Sequence, residues 1–104
     1  MKTIVRIMVT VCLLGSATAY AAGDIQAGTA KAALCAGCHG PAGISVNPLW
    51  PNLAGQHVEY LDKQIKAFRD GSRVEPTMSP FVATLNDGDI ADIAAFFASR
   101  KTCQ

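Results

Sequence analysis

Residues 35 to 39 read Cys35-Ala36-Gly37-Cys38-His39. Two thiols separated by two residues can each add to one vinyl group of a haem, tying the ring to the chain through two thioethers. The next residue, His39, is then carried to the iron, where an imidazole nitrogen can serve as an axial ligand. Two other chemistries use the same residue types. A Cys-x-x-Cys pair can be a thioredoxin-like redox couple, but that reading asks for a βαβ context, and no strand-like run lies nearby. The pair can also be half of a zinc site completed by His39 and His57, although adjacent Cys38 and His39 are awkward partners for one tetrahedral ion. The spacing therefore points first to covalent haem, with its iron.

The opposite face of such an iron is filled by Met, His or Lys, or left open. Three methionines are present, and Met1 and Met8 are expected to leave with an N-terminal export leader, leaving Met78. It stands in Glu75-Pro76-Thr77-Met78-Ser79-Pro80. Two prolines stiffen that loop by fixing φ, which suits a weak thioether ligand that must be held in one place. A methionine between prolines in a polar loop is a poor core position. His57 is the rival ligand, at the start of a predicted helix.

The N-terminus has the pattern of an export leader. Met1 to Arg6 form a short basic region, Ile7 to Leu14 an apolar core, and Ala19-Tyr20-Ala21 a small-residue cleavage site. Residues 1–21 are expected to be removed, leaving 22–104 as one domain. The apolar core is too short to cross a bilayer. Cys12 leaves with this segment. The expected location is the periplasm. Loss of Lys2 and Arg6 turns the formal charge of +1 slightly negative. No basic run suggests nucleic acid. A domain of this size often needs a staple, which a covalently held macrocycle provides.

Three helical stretches must position these residues, making the expected fold all-α. The first is predicted from about Asp24 to Cys35, capped by Asp24, with Ile25, Gly28 and Ala32 on one face. The second is predicted from about Gln56 to Asp70, with Val58, Leu61, Ile65 and Phe68 as its apolar stripe and Gly71 as its stop. Glu59–Lys63 and Asp62–Lys66 are acid-first pairs expected on its wet side. The third is predicted from about Asp87 to Lys101, capped by Asn86 or Asp87, with Ile90, Ile93, Ala94 and Phe97 inward and Arg100 and Lys101 at its negative end. Loops rich in Gly and Pro separate them.

On Gly28 with Cys35-Ala36-Gly37-Cys38-His39-Gly40, Pro51-Asn52-Leu53-Ala54-Gly55-Gln56, Met78-Ser79-Pro80 and Asp92-Ile93-Ala94-Ala95-Phe96-Phe97, the chain resembles the class I c-type cytochromes. It is most similar to the short monohaem cytochrome c553 group and to one half of a dihaem cytochrome c4. The resemblance implies three main helices wrapped around one covalent haem c, His39/Met78 ligation and electron transfer. It implies that the terminal helices cross with Gly28 against Phe96 or Phe97, that the Pro51 carbonyl accepts from His39, and that Leu53 packs on the ring. One Cys-x-x-Cys-His motif departs from the two-haem form. Trp50 is expected to pack on the haem or stand at its propionates, or to be plain core.

The expected function is a one-electron carrier, not an enzyme, cycling Fe(II)/Fe(III) between redox partner proteins in a respiratory-type chain. One haem edge is expected near the surface around Ala36, Gly37, Pro41, Ala42 and Ile44. The alternatives are a haem c subunit of a larger dehydrogenase or oxidase, and a haem-based ligand sensor if Met78 leaves the iron open. Cys103 has no mature partner once the motif thiols hold haem. It is expected to be an inert terminal thiol, or to link two chains by a disulfide.

Overall fold

The computed structural model describes residues 22–102. The leader segment and Cys103 lie outside the described residues. Five helices and no strand are present among them: α1 Ile25–Lys31, α2 Ala33–His39, α3 Val58–Asp70, α4 Ser79–Val82 and α5 Asp87–Ala98. The all-α expectation holds, with departures in detail; the second predicted helix begins at Val58 rather than Gln56.

The first predicted helix runs one turn further than expected and is interrupted at Ala32. The Cys35 N–H donates to the Ala32 carbonyl three residues back at 2.9 Å, a tighter bond than the α-helical pattern. Alanine is the strongest helix former, so no local propensity requires this break. Ala32 is 3% exposed and packs in the core. Asp24 caps α1 as predicted, accepting from the Gln26 and Ala27 N–H groups at 2.8 and 3.1 Å. Ile25, expected inward, is 46% exposed; the buried face is carried by Gly28 and Ala32.

The loop before the last helix contains α4, with Met78 at its N-cap and Pro80 in its first turn. The last helix ends at Ala98 rather than Lys101. The Ser99 hydroxyl donates to the Phe96 carbonyl at 2.6 Å, drawing the chain out of helical continuation. Arg100 lies beyond that end, 4.7 Å over the Phe96 ring. The start of α5 is closed by a capping box between Asn86 and Asp89.

The core is built on α5. Ile93, Ala94, Phe96 and Phe97 bury against Ala32 and Leu61. α1 and α3 both pack on α5. The α1–α5 crossing is close because residue 28 has no side chain. A Cβ there would collide with the Asp92 carbonyl oxygen and come within 2.9 Å of the Phe96 Cβ. Of the two predicted aromatics, Phe96 is the one in contact. Lys31 ties the crossing from outside, 2.6 Å from Asp92 and 2.9 Å from Asp89.

The Asp62–Lys66 ion pair forms at 2.8 Å, yet Asp62 is only 7% exposed and not on the wet side as expected. The Glu59–Lys63 pair is not formed among the described residues. Arg69 joins the end of α3 to the start of α5. It donates to the Leu85 carbonyl at 3.2 Å and to Asp87 at 2.7 Å.

Candidate haem site

Cys35, Cys38 and His39 occupy the last turns of α2, at helical spacings of three and four residues, so they share one face. The helix stops at Gly40, whose φ of 81° and close approach to the Ile44 carbonyl admit no side chain without strain. That turn brings the following loop back under α2. The Ser45 N–H donates to Asn52 Oδ1 at 2.7 Å, and the Ser45 hydroxyl lies 3.1 Å from the Cys38 carbonyl oxygen. These bonds set the position of Pro51. The Nδ1–H of His39 donates to the Pro51 carbonyl oxygen at 2.8 Å. A carbonyl only accepts, so this bond fixes the imidazole tautomer and leaves Nε2 free for another partner. His39 is buried.

Met78 is set by a different part of the chain. Its N–H and that of Ser79 both donate to the Glu75 carbonyl at 3.0 Å. The Glu75 carboxylate accepts from the Thr77 N–H at 3.0 Å. That bond holds the Glu75 carboxyl below its ordinary value, so it stays ionised in this turn. Arg69 and Leu85 hold the far end of the segment, through the bond described above.

These segments enclose one cavity of about 550 Å³, within the range of cofactor pockets. Cys35, Cys38, His39, Trp50, Pro51, Leu53 and Met78 all line it. Its walls are otherwise mostly apolar, among them Leu61, Ile65, Phe68, Val82, Ile93 and Phe97. Two thiols, an imidazole and a thioether around an apolar cavity are the donor set and surroundings that a covalently held haem needs. Trp50 is at the boundary, 36% exposed, and is not plain core.

The competing chemistries fit less well. Burial, then the neighbouring Cys38, pushes the Cys35 thiol up to about 11, whereas a redox couple of the thioredoxin type works through a lowered thiol. His57 is exposed at the N-cap of α3 and does not line the cavity. Among the described residues no group of three or more His, Cys, Asp or Glu is placed for a metal ion. The expected surface edge around Ala36, Gly37, Pro41, Ala42 and Ile44 is not part of the cavity wall. The cavity is bordered instead by exposed Leu34, Leu49, Val74 and Phe81. Ser45, Gln64 and Arg73 also belong to this site or its support, and no pattern in the sequence marks them.

An all-helical domain closing on a cavity that gathers Cys-x-x-Cys-His and a methionine defines a c-type cytochrome. The chain belongs to that family: the family model described as cytochrome c oxidase, cbb3-type, subunit III matches residues 23–97. The chain is 48% identical to a cytochrome c4 of Pseudomonas aeruginosa over 100 residues, covering 96% of this chain and 49% of that one. It is 46% identical to cytochrome c-554(548) of Halomonas halodenitrificans over 83 residues, covering 77% of this chain and 100% of that one. The crystal structure of reduced recombinant cytochrome c4 from Pseudomonas stutzeri superposes with a TM-score of 0.74 at 42% identity, over 77% of this chain and 47% of that one. The chain thus spans about half the length of the cytochrome c4 relatives it matches and the whole of the c-554(548). Haem c with its iron is the cofactor of this family. No helix among the described residues is long and apolar enough to cross a membrane.

Proposed function

We propose that this protein is a one-electron carrier that works outside the cytoplasm between redox partner proteins. The observation that carries the reading is the single cavity lined together by Cys35, Cys38, His39 and Met78, from segments forty residues apart. In this reading Cys35 and Cys38 would hold haem c through thioethers, and His39 and Met78 would supply the chain's two iron ligands. Haem c supplies an iron that exchanges one electron between Fe(II) and Fe(III). Pro51 orients the His39 imidazole. Leu53 and Trp50 shape the surroundings of the ring. With His39 and Met78 both supplied by the chain, such an iron would leave oxygen and peroxide no ready site, in keeping with transfer over catalysis. The apolar wall excludes water, and Met/His ligation favours a raised potential. Relatives that are cytochromes in their own right support a carrier; a haem c subunit of a larger dehydrogenase or oxidase uses the same site chemistry.

Residues 1–21 serve in this reading as a removable export leader, which delivers the chain to the periplasm where haem is attached. A disulfide through Cys103 would add a dimer but is not needed for transfer.

The test is direct. The mature protein should keep its colour after denaturation and acid–acetone extraction, and give a two-thioether pyridine haemochrome. Stopped-flow mixing with a partner captured from the native periplasm should show one electron exchanged per chain. Extractable pigment, or no electron exchange with any captured partner, would end the reading.

A further inference from the structure

Arg73 is the only lysine or arginine on the cavity wall among the described residues. The other well-placed cations are used within the protein: Lys31, Lys66 and Arg69 each meet a carboxylate. Arg73 meets none among the described residues. Its Nη1 donates to Gln64 Oε1 at 2.7 Å, and its guanidinium lies 4.4 Å over the Phe68 ring. Its backbone N–H donates to the Ala67 carbonyl at 3.0 Å, which folds the chain back over the end of α3 after Gly71. Three contacts therefore hold a guanidinium at the cavity while satisfying only one of its five N–H donors by a side chain. Gln64 and Phe68 line the same cavity. The one carboxylate on the wall, Glu75, is engaged by the Thr77 N–H.

A positioned guanidinium with donors to spare fits a planar carboxylate, which it can take bidentately. A haem carries two such groups, its propionates, and a carboxylate brought against an apolar wall is costly unless it is paired. Resting on the haem reading above, we infer that Arg73, held by Gln64 and Phe68, pairs with a haem propionate and thereby sets the reduction potential. It is a positioning and charge-balancing residue, not an iron ligand. Its positive charge disfavours the additional positive charge of Fe(III), so its presence raises the potential.

The experiment is spectroelectrochemical titration of the haem-loaded wild type, Arg73→Gln and Arg73→Lys. Arg73→Gln should keep its covalent haem and low-spin spectrum and titrate at a lower potential. Arg73→Lys, which keeps the charge and loses the fork, should fall between. An unchanged potential in haem-loaded Arg73→Gln overturns the inference. So does slower reaction with a partner at unchanged potential, which would assign the guanidinium to partner contact. If Arg73→Gln does not accumulate, resonance Raman of wild type and Arg73→Lys decides: the propionate bending mode should shift, and an unmoved mode overturns the pairing. A wild type that holds no covalent haem would instead defeat the haem reading itself.

Discussion

His39 Nδ1 and the Pro51 carbonyl oxygen are 2.8 Å apart, joining the end of α2 to the loop that follows it. The acceptor is a backbone atom, so its placement depends on the loop and not on the side chain of residue 51. Pro51→Ala should therefore keep the bond and the haem spectrum. It should lower stability by about 0.4–1 kcal/mol, because the unfolded chain gains freedom. Denaturant unfolding beside an absorption spectrum checks both halves; a changed spectrum would mean that the proline ring itself holds the geometry.

Met78→Ala removes the thioether from the cavity wall. The oxidised mutant should lose the weak near-infrared sulfur-to-iron band, and the reduced mutant should bind carbon monoxide, which the wild type should not. The potential should fall, since methionine ligation raises it. An unaltered near-infrared spectrum would assign the sixth position to another group.

Gly28→Ala separates two opposed effects. Helix propensity alone favours alanine by about 1 kcal/mol. The added Cβ, however, collides with the Asp92 carbonyl and crowds Phe96. Overpacking of this kind costs about 1–3 kcal/mol, so the mutant should melt lower than wild type. A higher melting temperature would show that α1 and α5 can part without loss.

The crossing should also be sensitive to acid. The Lys31 ammonium, then the Asp24 N–H, holds the Asp92 carboxyl below its ordinary value near 3.8. A depressed carboxyl contributes stability that is fully present above its unfolded value and is lost as pH falls through the folded one. Unfolding free energy should thus decline below about pH 4, and Asp92→Asn should flatten part of that decline while lowering stability at neutral pH. Parallel acid titrations of the two proteins provide the comparison.

Much of the site was legible because its chemistry is local. Thiols at positions 35 and 38 and an imidazole at 39 have the spacing that suits one ring, so the pattern could be read without the fold, and all three line one cavity. The capping residues Asp24 and Asn86 act within three residues of themselves, and the stripe on α5 follows from helical period, so these too could be read directly. Met78 stood out by elimination together with the stiffness of its loop.

Tertiary structure decided what depends on contacts between distant segments. The break at Ala32, a residue packed in the core, and the exposure of Ile25 are details that no propensity encodes. Asp62, paired as its spacing suggests, is buried because of what packs over it. Arg73 shows the same limit: residues 64, 68 and 73 carry no shared motif, and only the fold-back after α3 brings an amide, a ring and a guanidinium to one wall. Sequence by itself singled out the groups whose chemistry suits a covalently held haem, since that is set by bonding chemistry. Packing determined which face of α2 meets the cavity and which cation stands on its wall, since those are set by the burial of the whole chain at once.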